Sequence, residues 1–206
     1  MSNPKQKGHI VVLSGPSGVG KSTVITAVKR ERPNLALSVS HTSRDPRVGE
    51  ENGVNYHFVS DARFEQMIRE DAFLEYTRYQ GHYYGTSFQA IDELLEANKD
   101  VLLDIEVEGA ANVRQCYPEA IEIFILPPSF EELSRRLHAR GTDSEEVIQG
   151  RLRRAHEEFQ CIPNYDYLVV NDNVEVAVKE ILAILTAADC TVKARRDVAE
   201  KMMKHT

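Results

Sequence analysis

Gly15-Pro16-Ser17-Gly18-Val19-Gly20-Lys21-Ser22 is a glycine-rich stretch with the pattern G-x-x-x-x-G-K-[ST] of a phosphate-binding loop. The apolar, β-branched run Ile10–Leu13 precedes it and predicts a buried parallel strand. The residues after it, Ser22–Arg30, have apolar side chains at helical spacing, and Pro33 ends that helix. A strand, a glycine-rich turn and a helix in this order are the context that the motif requires.

The loop predicts a site for the phosphates of a nucleoside triphosphate. Glycines let the backbone come close enough for its N–H groups to face phosphate oxygens, and the following helix adds its positive end. Lys21 supplies a charge near the β- and γ-phosphates, and the Ser22 hydroxyl can ligate Mg²⁺. The ATP-binding residues predicted here are Gly15, Pro16, Ser17, Gly18, Val19, Gly20, Lys21 and Ser22. A chance glycine turn is the alternative.

Asp104 is the second candidate metal ligand. It ends the apolar run Val101–Leu103, which predicts another buried strand. An aspartate at the end of such a strand is placed to hold Mg²⁺ directly or through water. The alternative is an aspartate that only caps a turn.

Strand and helix patterns alternate along the whole chain. Further strands are expected at Leu35–Val39, Asn55–Val59, Ile121–Leu126 and Leu168–Val170, with a hairpin over Phe73–Tyr84. Four helices are expected, and their predicted N-capping residues are Asp61, Ser87, Ser129 and Ser144. A further helix is expected in the C-terminal part. His41–Gly53 is predicted to be an ordered loop. This alternation predicts an α/β fold with a parallel sheet covered by helices on both faces.

Composition narrows the classes of function. A net charge of −7 argues against non-specific nucleic-acid binding, which needs a basic surface. The three cysteines have no CxxC spacing, so we expect neither a disulfide framework nor a structural zinc site. This cysteine pattern predicts a cytoplasmic protein. No apolar run approaches the ~20 residues of a membrane span, so no membrane partner is expected.

Two arginine clusters predict further anion sites. Arg44 and Arg47 lie in a proline-containing loop, with Tyr56 and Tyr84 able to add phenolic hydrogen bonds. The second cluster lies on two successive helices separated by Gly141-Thr142, as a lid over a triphosphate would require; its members are Arg136, Arg140, Arg151, Arg153 and Arg154. The alternatives are a solvated turn for the first cluster and a solvated face, balanced by nearby glutamates, for the second.

Together these motifs resemble the guanylate kinases, the ATP:GMP phosphotransferases. The resemblance covers roughly residues 8 to 188. Besides the loop, it rests on Ser38–Glu50, Asn55–Val59, Phe73–Tyr76, Tyr83–Thr86, Leu103–Glu106, Pro127–Ser129, Arg140–Thr142 and Val170–Asp172. Glu106 stands where the family more often has Asp, and Ser43 where Thr is common.

The resemblance implies roles for individual residues. The GMP-binding set is Ser40, Arg44, Arg47, Tyr56, Glu75, Tyr84, Thr86 and Glu106, with the arginines and tyrosines on the phosphate and the others around the guanine. The catalytic set is Lys21, Arg44, Arg136, Arg140 and Arg151, and Asn171 is expected near the adenine. The implied fold is a nucleoside-triphosphate-hydrolase-type P-loop sheet with a small mixed α/β GMP-binding insertion and a helical lid.

The resemblance also implies how one guanylate kinase-like domain, residues 1–206, is divided. The core is expected at about 8–39, 90–137 and 158–190, the GMP-binding segment at about 40–89, the lid at about 138–157 and a C-terminal helix at about 191–206. The last stretch could dock on the core, pair with another subunit in a homo-oligomer, or stay mobile.

The expected reaction is direct, in-line transfer of the ATP γ-phosphoryl group to GMP with Mg²⁺, in guanine nucleotide recycling and synthesis. One alternative is a guanylate kinase-like protein-binding module without catalysis, which the intact Gly20-Lys21-Ser22 disfavours. The other is a kinase of a sugar phosphate, which would need no carboxylate facing a base, so Glu75 disfavours it.

Overall fold

The computed structural model describes residues 8–79, 81–139, 141 and 143–204. Arg140, Gln80, Thr142 and the last two residues, all of which enter the predictions above, lie outside the described residues. In the described part of the chain, no helix combines the length and apolar character needed to cross a bilayer.

The elements follow in this order. The strands are β1 Ile10–Ser14, β2 Leu35–Leu37, β3 His41–Thr42, β4 His57–Phe58, β5 Phe73–Tyr79, β6 His82–Ser87, β7 Asp100–Asp104, β8 Ile121–Leu126 and β9 Tyr167–Val170. The helices are α1 Lys21–Glu31, α2 Asp61–Arg69, α3 Phe88–Glu96, α4 Val107–Cys116, α5 Phe130–Ala139, α6 Glu145–Phe159, α7 Val174–Asp189 and α8 Arg196–Met203, with a 3₁₀ turn at Ile162–Asn164.

The main sheet has five strands in the order β2-β7-β1-β8-β9, and every pair is parallel. Side chains of β1 alternate between the two faces, as a strand requires. Val11 and Leu13 pack with α1 and α7 on one face, while Ile10 and Val12 pack with α3 and α4 on the other. The α/β class and the helix-covered parallel sheet predicted from the sequence are confirmed.

A second, smaller sheet has the order β4-β3-β6-β5 and is mixed. Its β5–β6 pair is the predicted hairpin, in which Glu75 pairs with Thr86. Helix α2 covers it, with the buried Phe64 ring stacked on Phe73 at a centroid distance of 4.3 Å. The sheet lies in the stretch predicted to bind GMP.

The structure differs from the sequence-based expectations at four places. His41–Thr42 of the expected loop is strand β3, and the expected strand Asn55–Val59 is reduced to β4. The cap of α2 is Ser60, whose hydroxyl accepts from the Arg63 N–H at 3.2 Å, rather than Asp61. Helix α4 was missed because its buried face is made of the small residues Gly109 and Ala110 with Val113, a weak apolar pattern.

Candidate active site

The phosphate loop links the end of β1 to the start of α1 at the carboxyl edge of the main sheet. Gly18 and Gly20 have φ values of +91° and +95°, which side chains with a Cβ rarely adopt. A Cβ at Gly20 would lie 2.6 Å from the Asn171 amide nitrogen, and one at Gly18 would lie 2.8 Å from the Leu137 side chain. These positions therefore need glycine for both conformation and space.

Lys21 and Asp104 meet beside this loop. The register of β1 and β7 pairs Leu13 with Asp104, so the carboxylate lies next to the start of the loop. Lys21 Nζ donates to the Gly15 carbonyl at 2.6 Å and lies 3.7 Å from Asp104 Oδ1. Burial raises the pKa of Asp104, and the charge of Lys21 opposes that shift.

The residues at this point fit a magnesium ion that is held with substrate. Among the described residues, no group of three or more His, Cys, Asp or Glu side chains could hold a metal by itself. Asp104 offers a carboxylate, and the exposed Ser22, one residue after Lys21, offers a hydroxyl. Magnesium keeps several waters and is bound by one or two protein oxygens plus substrate phosphates, so a sparse oxygen set suits it.

Asn171, which follows β9, forms a hydrogen bond to the phosphate loop. Its side-chain amide donates to the Val19 carbonyl at 2.8 Å, and the residue is 3% exposed. Arg136 of α5 reinforces the same place, because its Nη1 donates to the Val19 carbonyl at 3.3 Å and to the Asn171 carbonyl at 3.0 Å. The contact of Asn171 with adenine stays a prediction, but the amide has a clear structural role in holding the loop.

Arg151 of α6 also reaches the loop. Its Nη1 donates to the Ser17 hydroxyl at 3.0 Å, and its Nη2 lies 3.4 Å from Asp143 Oδ2. Apolar side chains, among them Leu133, Leu137 and Leu152, pack α5 against α6. The two arginine-bearing helices therefore form one unit that contacts the phosphate loop.

Arg44 lies at the second predicted phosphate site, in a pair with Glu50. Two parallel contacts of 2.8 and 2.9 Å join the guanidinium to that carboxylate. The pair raises the pKa of Arg44 and lowers the pKa of Glu50 to about 2. The Arg44 guanidinium also faces the Tyr56 ring at 5.5 Å, and Tyr56 contacts Tyr84 with a centroid distance of 5.9 Å.

A cavity of about 280 Å³ is lined both by tyrosines of the second phosphate site and by Asp104. Its lining includes five of the residues predicted to bind GMP, namely Ser40, Tyr56, Glu75, Tyr84 and Glu106, and the predicted metal ligand Asp104. Thr86 is buried behind it and donates its hydroxyl to Glu75 Oε1 at 2.6 Å. Burial raises the pKa of Glu75, and the hydrogen bonds from Thr86 oppose that shift.

Comparison with known proteins places this geometry in a family. The guanylate kinase family model matches residues 7–188. The chain is 50% identical to the guanylate kinase of Halalkalibacterium halodurans over 90% of its length and 91% of that protein. It is 49% identical to the guanylate kinase of Neisseria gonorrhoeae, over 94% and 93% of the two chains. The chain belongs to the guanylate kinase family.

A solved structure agrees with this assignment. The crystal structure of guanylate kinase from Anaplasma phagocytophilum is similar to the present fold with a TM-score of 0.71 and 31% identity. The similarity covers 90% of this chain and 88% of the other.

The structure describes every expected site residue except Arg140, and two of them have contacts that differ from those expected. Arg47 is exposed, and its backbone N–H, rather than its guanidinium, donates to Glu50 at 2.7 Å. Glu106 lines the cavity but also forms an ion pair with Arg154 of α6.

Sequence reasoning did not single out Glu50, Glu158 or the residues of α4 that line the cavity. Glu50 was part of the quoted motif, but its pairing with Arg44, six residues away, depends on how the loop between them folds. Gly109 and Asn112 came from the missed helix α4 and carried no such signal. A larger cavity, of about 920 Å³, lies around Tyr167 and Arg196 and includes none of the predicted site residues.

Proposed function

We propose that this chain transfers the γ-phosphoryl group of ATP to GMP, yielding ADP and GDP, through the residues described above. Family membership supports the reaction. The observation that carries the residue assignment is the cavity that Glu75, Tyr84 and Asp104 line together, because Asp104 in turn lies 3.7 Å from Lys21 of the phosphate loop.

Guanine recognition rests on the carboxylate of Glu75. Guanine presents hydrogen-bond donors at N1 and N2, which a carboxylate can accept, and the hydroxyls of Ser40 and Thr86 lie in the same region. Adenine presents an acceptor at N1, so the half-buried Glu75 would keep its hydrogen bond from Thr86 but would gain none from the base. A polar pocket mispaired in this way rejects the wrong substrate by about 10⁴-fold or more.

The phosphate of GMP is assigned to Arg44, Arg47, Tyr56 and Tyr84. The Arg44 Nε–H is buried and has no hydrogen-bond partner among the described residues, and a phosphate oxygen bound beside it would satisfy it. Glu50 holds the guanidinium in one orientation through two contacts. A fixed arginine loses little conformational freedom when it binds phosphate.

The ATP phosphates are assigned to the loop from Gly15 to Ser22. Lys21 would leave its contact with the Gly15 carbonyl to meet the β- and γ-phosphates. Ser22 and Asp104 would hold Mg²⁺, Asp104 directly or through water, and the ion would supply charge neutralisation between the phosphates when bound.

Transfer needs positioning more than proton movement. A GMP phosphate oxygen forms the new bond to the γ-phosphorus, while the bond to the β,γ-bridging oxygen breaks and its electron pair leaves with ADP. The attacking phosphate is already ionised near neutral pH, so no general base is required. Lys21, Arg44, Arg136 and Arg151 are assigned to hold the reacting groups in line and stabilise the charge.

The lid is assigned to exclude water. Arg151 already contacts Ser17, so α6 lies over the loop, and an enclosed site protects ATP from hydrolysis. Arg140, between α5 and α6, remains a predicted lid arginine.

A coupled assay of ADP release across GMP, AMP, CMP, UMP and dTMP tests the function. We expect turnover with GMP and rates with AMP lower by about 10⁴-fold. Lys21→Ala serves as the control that activity belongs to this chain, with an expected loss of at least about a hundredfold. Equal rates with GMP and AMP would contradict the assignment of the base.

The remaining features of the proposal concern the setting of the enzyme. A cytoplasmic location is supported by the free thiols of Cys116, Cys161 and Cys190. A homo-oligomer remains a prediction for the C-terminal helix α8, which exposes Val198 and Met202. Sedimentation of the intact chain and of a chain ending at residue 190 would distinguish pairing from docking.

A further inference from the structure

Helix α6 presents arginines to both halves of the site. Arg151 donates to Ser17 of the phosphate loop. Arg154, three residues later and therefore on the same side of the helix, reaches Glu106 at the start of α4. One helix thus contacts the ATP loop and a residue of the base cavity.

Arg154 lies between two carboxylates. Its Nε donates to Glu158 Oε1 at 3.2 Å, and its Nη2 donates to Glu106 Oε2. Glu158 follows one turn later on α6, is 8% exposed, and has its pKa raised by burial. Because Glu158 is held in the protein interior, it fixes the direction in which the Arg154 guanidinium points.

The base cavity that Glu106 lines is rich in carboxylates. Its lining includes the carboxylates of Glu75, Asp104, Glu106 and Glu108. An anionic nucleotide entering beside four carboxylates meets unfavourable charge unless a cation offsets it. Arg154 supplies that cation at Glu106.

We propose that Arg154 is a positioning residue that orients Glu106 for the guanine base and thereby couples lid closure to acceptor recognition. The inference rests on the proposed function. When α6 lies over the phosphate loop, Arg154 fixes Glu106; when α6 moves away, Glu106 loses its cation and its orientation. Closure and binding of the base therefore strengthen one another.

The contacts indicate that Arg154 orients Glu106 rather than competing with the guanine base for the Glu106 carboxylate. Arg154 engages Glu106 through Oε2 alone, which leaves Oε1 for a donor of the base. The second hydrogen-bonded nitrogen of Arg154 is occupied by Glu158 rather than by Glu106. A guanidinium that blocked the pocket would use both oxygens of the carboxylate, as Arg44 does with Glu50.

Arg153 provides a matched control on the same helix. The sequence grouped it with the lid arginines, but in the structure it is exposed and forms no ion pair or hydrogen bond within the described ranges, so it is not part of the site. Removing its side chain takes away the same charge, one residue from Arg154, without touching Glu106.

Steady-state kinetics of Arg154→Ala, Arg154→Lys, Arg153→Ala, Glu106→Gln and the Arg154→Ala/Glu106→Gln pair provide the first test. The Arg154 and Glu106 side chains are 48% and 52% exposed, so the effect should be modest. We expect the KM for GMP to rise about fivefold in Arg154→Ala and to recover partly in Arg154→Lys, while the affinity for an ATP analogue measured without GMP stays unchanged. Arg153→Ala should match the wild type, and the double variant should match Glu106→Gln.

Titration of GMP with and without a non-hydrolysable ATP analogue tests the coupling. The wild type should bind GMP more tightly when the analogue is present, and this gain should shrink in Arg154→Ala. A residue that only stabilised the fold would weaken both titrations equally. An equal gain in the two proteins would overturn the proposal.

Other outcomes of these experiments distinguish the role of Arg154 from the proposed phosphorylation of GMP. A wild-type chain that does not phosphorylate GMP would overturn the function. A wild type that is active, with the same KM for GMP in Arg154→Ala, would overturn the role of Arg154 alone. A lower KM in Arg154→Ala would show that Arg154 competes with GMP for Glu106, and it would overturn the positioning role as well.

Discussion

At the scale of single residues, the phosphate loop depends on side chains that lie outside its motif. The Val19 carbonyl, inside the loop, accepts from both the Asn171 amide and Arg136. These contacts hold the loop in one conformation before any nucleotide binds. ATP binding therefore does not have to order the loop, which would lower the affinity.

Asn171→Ala tests this support. Removing the amide leaves the buried Val19 carbonyl with one partner fewer, which we expect to lower the free energy of unfolding by about 1–3 kcal/mol and to raise the KM for ATP. Urea denaturation and ATP titration measure the two effects, with the exposed Asp172→Ala as control. Unchanged stability with an altered preference between ATP and GTP would instead favour the predicted contact with adenine.

His41 provides a prediction on pH. Its ring stacks on His57 at a centroid distance of 4.7 Å, and burial, followed by the charges of His57 and Arg63, lowers the pKa of His41 from 6.5 to about 4. Between these values the unfolded chain takes up a proton that the folded chain does not. The contribution of His41 to stability is therefore present above pH 6.5 and falls as the pH decreases toward 4.

Nuclear magnetic resonance titration of the His41 ring measures this directly, with an expected midpoint near pH 4. Denaturation of His41→Gln between pH 7 and pH 4.5 should show a smaller loss of stability with falling pH than the wild type. A His41 midpoint near pH 6.5 would contradict the prediction.

At the scale of elements, the second sheet has a small core of its own. The buried Phe64 ring of α2 stacks on Phe73 and, at 5.0 Å, on Tyr83. It therefore holds α2 against the hairpin that carries Glu75 and Tyr84. The phosphate loop belongs to the other sheet and does not depend on this contact.

Phe64→Ala should separate the two substrate sites. Truncating a buried phenylalanine costs about 3–5 kcal/mol, which should loosen the second sheet and raise the KM for GMP. Affinity for an ATP analogue, measured by titration without GMP, should change little. Phe64→Leu is the milder control, and an equal loss of affinity for both nucleotides would contradict the separation.

At the scale of the whole molecule, a cluster of ion pairs lies at the end of the strands opposite the phosphate loop. Arg32 donates to Asp100 at 2.6 and 2.9 Å and to Asp189 at 3.0 Å. His9 Nε2 lies 3.1 Å from Asp189. The cluster joins the ends of α1 and α7 to the start of β7, so it ties both helices of one face to the sheet.

Arg32→Ala should reduce global stability without affecting catalysis. The Asp100 side chain is 4% exposed and would be left without its cation, at a cost of about 3 kcal/mol or more. Both KM values should stay unchanged because the cluster lies at the far end of the strands. The substitution Arg30→Ala, at an exposed residue, is the control. A large change in either KM would show that the cluster of ion pairs and the active site, at opposite ends of the strands, are coupled.

Several parts of this protein could be predicted from the sequence because their determinants are local. Ser87 and Ser144 cap the helices that they were expected to cap. The loop from Gly15 to Ser22 was recognisable since its glycines, lysine and hydroxyl are consecutive. Helix α4 was not recognisable, because its buried face has little apolar surface and the helix is stabilised by packing against the sheet.

The phosphate loop, the α/β class and the resemblance to guanylate kinases could all be predicted from the sequence, since each depends on residues that are neighbours in the chain. The partners of Asn171, Arg151 and Arg154 became known from the folded structure. Their contacts with Val19, Ser17 and Glu106 join residues 152, 134 and 48 positions apart. Such contacts depend on how helices pack on the sheet, and local sequence patterns do not carry that information.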